Sequence, residues 1–158
     1  MEIKQGFSII ELVVVIGLIS LLALAMSAIL LTTIVSSNRV RNATAVKQAG
    51  DYAITQIQSI VRNSRSITSC DPDTTTIVLE NQDGNITTIT LGINQIASNS
   101  ASLIPTDLAV SSPSITCVSS SGDVRLATFS FDLSRNNPNL PTRENPVTHF
   151  SAGAEIRN

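Results

Sequence analysis

Glu11 has the most unusual setting of any residue in this 158-residue chain. It stands at the lip of a run, Leu12 to Val35, that holds 24 residues and no charge. A carboxylate beside a membrane-length apolar segment is disfavoured without a partner, so it points to a function. Directly upstream lies a six-residue polar leader, Met1 to Gly6, followed by Phe7. The combination suggests a chain inserted in a membrane, trimmed at Gly6, and packed through its apolar helix against copies or relatives of itself. The competing reading makes Glu11 a boundary residue at headgroup level, and it leaves the adjacent Gly-Phe pair unexplained.

Other residues that could do chemistry are few. Cys70 and Cys117 are the two cysteines. In an exported domain such a pair reads as a disulfide, which would close a loop of roughly 48 residues and stabilise by about 4 kcal/mol in the chain-entropy model. In a reducing compartment they read as two buried thiols. Their wide spacing suits neither a redox motif nor a metal site. His149 is the single histidine, with no Cys or His close to it in sequence, and reads as a surface or loop residue. Asn81-Gln82-Asp83-Gly84-Asn85 carries some oxygen ligands of a calcium loop but lacks its spacing and terminal Glu, so a hairpin turn is the better fit. Asp71-Pro72-Asp73 reads as a turn after the helix. No Ser/His/Asp set, phosphate-binding glycine loop or cysteine cluster is present. The expectation is a chain without enzymatic activity, cofactor or metal.

Composition agrees. Net charge is −2, so no basic field points to nucleic acid. Charged residues make up 14% and aromatics 3%, and the polar fraction is mostly Ser, Thr and Asn. That suits a β-rich, neutral-surfaced body in an extracellular medium.

The elements that must position these residues follow from periodicity. As a helix, Leu12–Val35 rises about 36 Å, enough to cross a ~30 Å hydrocarbon core. Gly17, Ser20 and Ser27 interrupt its aliphatic surface and permit close helix approach. Ala23-Leu24-Ala25 resembles a signal-peptide cleavage site, yet Glu2 and Glu11 oppose Lys4 and the apolar run continues ten residues further. Orientation by charge is ambiguous. Arg39, Arg41 and Lys47 after the span would put the C-terminal side in the cytoplasm, against the cysteines and the Ser/Thr-rich body.

Beyond the span, Val46, Ala49, Ala53, Ile57, Ile60 and Val61 recur at 3–4 spacing, with Gly50 as the one breaker. One helix from Phe7 to about Arg65 is therefore expected, roughly 88 Å long. Its first half is apolar all round and its second half amphipathic. After Pro72 the period becomes two. Thr75–Glu80 and Asn85–Leu91 flank Asp83-Gly84 as a hairpin. Ile115–Ser119 and Val124–Leu133 flank Ser121-Gly122-Asp123 as a second. Asn94–Ser114 is weakly patterned, Asn136–Pro146 reads as a loop, and Val147–Ile156 as a last strand. The division is leader 1–6, membrane half of the helix 7–35, amphipathic half 36–66 and β-rich head 67–158. The fold class is α+β, a long N-terminal α-helix on a small antiparallel β-sheet body.

The stretch Gly6-Phe7-Ser8-Ile9-Ile10-Glu11-Leu12-Val13-Val14-Val15-Ile16-Gly17 resembles the N-terminus of type IV pilins and the related type II secretion pseudopilins. The match covers about Lys4 to Val35; beyond it only the architecture agrees. The resemblance implies that a prepilin peptidase cuts between Gly6 and Phe7 and N-methylates the new Phe7 amine. It implies that Glu11 pairs with a Phe7 amine, its own or a neighbour's, and so sets axial register in a filament. The sequence departs from the family's pattern in three ways. No proline precedes Pro72, where major pilins often carry a helix-kinking one. The leader is weakly basic. Cys70 and Cys117 do not form the C-terminal loop of many major pilins. Glu11 also argues against the tip-type pseudopilin, which lacks that acid.

The expected function is a structural subunit, a minor pilin or pseudopilin. Its implied partners are the prepilin peptidase, other pilin or pseudopilin subunits, membrane lipid before assembly, and assembly platform proteins. It would reside in the bacterial cytoplasmic membrane and then in an extracellular or periplasmic filament. The alternatives are a permanent single-pass anchor displaying an extracellular binding domain, and a secreted soluble domain starting near Met26.

Overall fold

With no proline before Pro72, nothing in the first 71 residues forbids helix, and α1 takes up most of that length at Ile9–Asn63. The computed structural model describes residues 8–120 and 123–156. The leader, Phe7 and the Ser121-Gly122 part of the expected second turn lie outside these described residues. The helix begins at a cap: Ser8 O accepts the N–H groups of Glu11 and Leu12 at 3.1 and 3.2 Å. It ends two residues short of the expected Arg65, at an Asn-Ser-Arg-Ser sequence. Ser and Asn side chains compete for backbone groups and weaken helix. Ser64 Oγ donates to Ile60 O at 2.7 Å, and the chain leaves directly into strand β1, Ser64–Asp71.

The chain divides into two units, residues up to Asn38 and Arg39–Asn158. In the first unit every large apolar side chain from Ile9 to Ile34 is exposed, from 40% at Val15 to 83% at Ile9. The hydroxyls of Ser20, Ser27, Thr32 and Thr33 are satisfied within the helix. Ser20 donates to Ile16 O, Ser27 to Ala23 O and Thr33 to Ile29 O, each at 2.8 Å.

In the second unit the rest of α1 buries Val46, Gly50, Ala53, Ile57 and Val61. These positions follow the expected 3–4 spacing. Gly50 belongs to that face and is no breaker. The Phe150 ring lies directly against it, where a Cβ would overlap the ring. The expected Ile60 and Ala49 are only partly buried at the margin.

Two antiparallel sheets complete this unit. The first is a meander of β1, β2 (Thr76–Asn81), β3 (Ile86–Gly92), β4 (Gln95–Ser98) and β5 (Ala101–Ser102), in that spatial order. The second is β6 (Leu108–Ser120), β7 (Asp123–Arg135) and β8 (Thr148–Glu155). The expected hairpins are β2–β3 and β6–β7, and the expected last strand is β8. The Asp-Gly turn closes with Gly84 at φ +80°, a conformation glycine adopts without strain. One core joins the inward faces: Ile77, Leu79, Ile89 and Leu91 from the first sheet, Ile115, Phe129, Phe131 and Leu133 from the second, and the α1 face. Phe131 and Phe150 stack at 5.6 Å between ring centroids. The result is an α+β fold, a long N-terminal helix with an apolar stretch, packed on an antiparallel β-sheet body.

The stretch Asn94–Ser114, weakly patterned in sequence, is ordered into β4, β5 and the first half of β6. Left-handed residues make its tight corners: Asn94 at φ 63°, Asn99 at 48° and Ser100 at 69°. Pro113 sits in β6 at a register shift between Ser111 and Ser114, beside Ser112 at φ 50°. A bulge is where a strand tolerates a missing N–H.

Candidate functional site

Three regions bear on function: the start of α1, the cystine, and the polar surface of the body. At the start of α1, Glu11 occupies the third helical position. Its Oε2 accepts the Ser8 N–H at 3.4 Å. Ser8-Ile9-Ile10-Glu11 has the S-x-x-E pattern of a capping box, and this bond is the reach-back half of one. The Ser8 and Glu11 spacing that carries this cap is a local sequence signal, distinct from the terminal-amine pairing that the resemblance implies. Glu11 is otherwise exposed at the edge of the exposed apolar surface. Gly6 and Phe7, the expected cleavage and methylation residues, lie outside the described residues.

Cys70 and Cys117 form a disulfide with Cα atoms 6.5 Å apart. Cys70 is in β1 and Cys117 in β6, so the bond ties the two sheets together. Both sulfurs sit half-buried against the common core. Of the two sequence readings, disulfide or reduced thiols, the structure contains the first.

Asp71-Pro72-Asp73 is a turn, but it follows β1 and leads into β2 rather than following the helix. The Asp71 carboxylate closes it. Oδ2 accepts the Thr74 hydroxyl at 2.7 Å, and Oδ1 accepts the N–H of Asp73 at 3.0 Å. The Thr74 hydroxyl, with the Asp73 and Thr74 amides, holds the Asp71 carboxyl below its ordinary range. Asp83 does the same in the next turn. The Asn85 N–H at 3.1 Å and the Asn85 side-chain amide at 2.6 Å lower its pKa. Both are Asx-type turn closures.

His149 is exposed and its Nδ1 lies 2.7 Å from Asp132 Oδ1. Ser111, Asp132 and His149 are successive partners across β6, β7 and β8. The carboxylate stands in the middle of that row, which puts the imidazole two strand spacings, about 10 Å, from the hydroxyl. A nucleophilic triad needs the imidazole in the middle. No cluster of three or more His, Cys, Asp or Glu suited to a metal occurs among the described residues.

Open polar depressions mark the body. One of about 730 Å³ is lined by Thr88, Thr90, Gln95 and Asn99 on the outer face of the first sheet. Another, of about 330 Å³, lies among Asn42, Asp107, Arg135, Asn136 and Asn137. Neither has the apolar lining typical of a small-molecule site.

No protein-family model, no curated protein and no solved structure matches this chain. The structure has a generic pilin-like architecture: a long N-terminal helix, apolar in its first half, packed on an antiparallel β-sheet body. The described residues contain one helix long and apolar enough to cross a membrane, with a mean hydropathy of 2.8 over its most apolar window.

Proposed function

We propose that this chain is a structural subunit, a minor pilin or pseudopilin, of a type IV pilus-like filament. A prepilin peptidase cuts between Gly6 and Phe7 and methylates the Phe7 amine. The chain waits in the cytoplasmic membrane with platform proteins and other subunits. It then joins an extracellular or periplasmic filament through its helix. The chemistry of the chain is assembly, without catalysis.

One observation carries this reading. The apolar side chains from Ile9 to Ile34 are all exposed, while the body has closed its own core without them. Such a surface needs lipid or other apolar helices. Glu11 sits at its start, where an ionised group is tolerated only with a partner. A Phe7 amine, four residues earlier in the sequence, would be that partner, and only one stagger of neighbouring helices would bring the two charges together.

A second reading draws on the Ser8–Glu11 bond. If Glu11 serves only as a helix cap, the chain fits a permanent single-pass anchor for an extracellular binding domain. Glu11→Gln separates the two, because glutamine keeps the reach-back cap and loses the charge. The filament reading expects Glu11→Gln to enter filaments at least about tenfold less well, as if one charge-assisted contact were lost. Incorporation equal to the parent would leave the cap as the whole role. N-terminal sequencing of the membrane form is the companion measurement: a start at Phe7 supports processing, and an intact Met1 rules it out.

A further inference from the structure

Four arginines neighbour Asn42 along the chain or across its contacts: Arg39 and Arg41 flank it on α1, Arg143 precedes its hydrogen-bond partner Glu144, and Arg135 shares its cavity. Asn42 Nδ2 donates to Glu144 O at 2.8 Å, which seats the short 3-10 helix Thr142–Glu144 and its Arg143 against α1. Arg39 lies one turn earlier on the same side of α1, and Arg41 is the adjacent residue. Asn145 holds the end of β7: its Oδ1 accepts the Arg135 N–H at 2.8 Å and its amide donates to Arg135 O at 3.0 Å. Arg135 and Asn42 line the same cavity of about 330 Å³. Arg135 is ion-paired to Asp107, yet its Nε is buried with no hydrogen-bond partner. Arg39, Arg41 and Arg143 are exposed, and no ion pair involves Arg39 or Arg41 among the described residues.

We propose that this arginine cluster binds the phosphate of anionic phospholipid headgroups while the chain resides in a bilayer. The proposal rests on the membrane-resident stage of the function proposed above and on nothing later in it. Arg39 and Arg41 follow the last residue of the apolar run, Val35, by four and six positions. Along a helix that is about 6 to 9 Å. The polar layer on each side of the hydrocarbon core is about 5 to 7 Å deep. With side chains that reach back toward the interface, both guanidinium groups fall at phosphate depth. Guanidinium suits phosphate because its planar fork donates two parallel hydrogen bonds.

The cluster also accounts for the orientation puzzle. Arginines just beyond a span usually mark the cytoplasmic side, yet these precede a disulfide-bonded, Ser/Thr-rich body. A role in headgroup binding gives them a reason to stand on the outer side.

The test uses the full chain in mixed micelles holding equal amounts of phosphatidylglycerol and phosphatidylcholine, with retained lipid read by native mass spectrometry. The parent is expected to prefer phosphatidylglycerol by about tenfold or more, since each nearby arginine adds roughly a fivefold bias. The triple variant Arg39→Gln/Arg41→Gln/Arg143→Gln, all at exposed positions, is expected to bring that ratio close to one with an unchanged circular dichroism spectrum. A triple variant that keeps the preference overturns the proposal. Displacement of the lipid by millimolar inorganic phosphate would assign the site to free phosphate instead and equally overturn it. Loss of self-association, with lipid preference intact, would assign the arginines to the acidic surface of a second copy. None of these readouts needs cleavage at Gly6 or a filament, so an unprocessed Met1 chain can pass this test while failing the previous one.

Discussion

The two halves of α1 are built from similar helix formers and solve opposite problems. From Ile9 to Ile34 no large apolar side chain is covered. From Val46 to Val61 the apolar positions on one face are fully buried. The first half needs an external apolar surface, and its hydroxyls spend their hydrogen bonds on their own backbone. The second half finds its apolar surface within the chain, on two sheets. Stability of the body and attachment of the chain are therefore separable properties carried by one helix.

A matched pair of truncations would break that comparison most directly. Phe129→Ala in the core of the body is expected to lose about 3–5 kcal/mol of stability, since Phe129 is fully buried. Leu22→Ala in the exposed half is expected to change the body's denaturation midpoint by less than about 0.5 kcal/mol. Chemical denaturation of both variants in one detergent, followed by a signal from the sheets, makes the comparison. Similar losses in the two would show that the halves are not independent.

Removing the cystine is the next largest change. Cys70→Ala/Cys117→Ala opens a loop with a sequence separation of 47 and is expected to lower stability by about 4 kcal/mol. The drop should appear in the denaturation of the body and leave membrane extraction of the chain unaltered. A destabilised membrane attachment would mean that the bond serves both halves.

The smallest effect comes with acid. Asp71 and Asp83 have folded pKa values lowered by their turn hydrogen bonds. A depressed carboxyl stabilises the fold above its unfolded pKa and loses that contribution as pH falls through the folded value. Melting of the body should be flat between pH 8 and 5 as far as these two groups are concerned, and should fall only below about pH 4. Asp71→Asn/Asp83→Asn is expected to shrink that fall. An undiminished fall would place the acid sensitivity elsewhere.

Much of the body was legible because its signals are local. The Asp83-Gly84 turn, the alternation of Phe129, Phe131 and Leu133, and the 3–4 spacing of α1 each declare an element within a few residues. What escaped depended on contacts distant in sequence. Asn94–Ser114 reads as irregular because its corners are made by Asn and Ser in left-handed conformations, and its proline is absorbed by a bulge. Gly50 reads as a breaker until Phe150, a hundred residues later, is seen to fill the space its missing Cβ leaves. The helix ends early because Asn63-Ser64 favours leaving, and no apolar periodicity records that preference. At the candidate site the acid and its apolar run were plain. The Ser8 cap is just as local, carried by the S-x-x-E spacing of Ser8 and Glu11.

The pairing of Gly50 with Phe150 has a mechanical consequence. The aromatic ring acts as a key in a notch one residue wide. Sliding α1 along the sheets by a turn would bring Val46 or Ala53 beneath the ring, and either side chain would collide with it. The helix is thus indexed along its own axis. A pull or push on its second half is transmitted to the sheets as a rigid displacement, with no slack taken up by slippage.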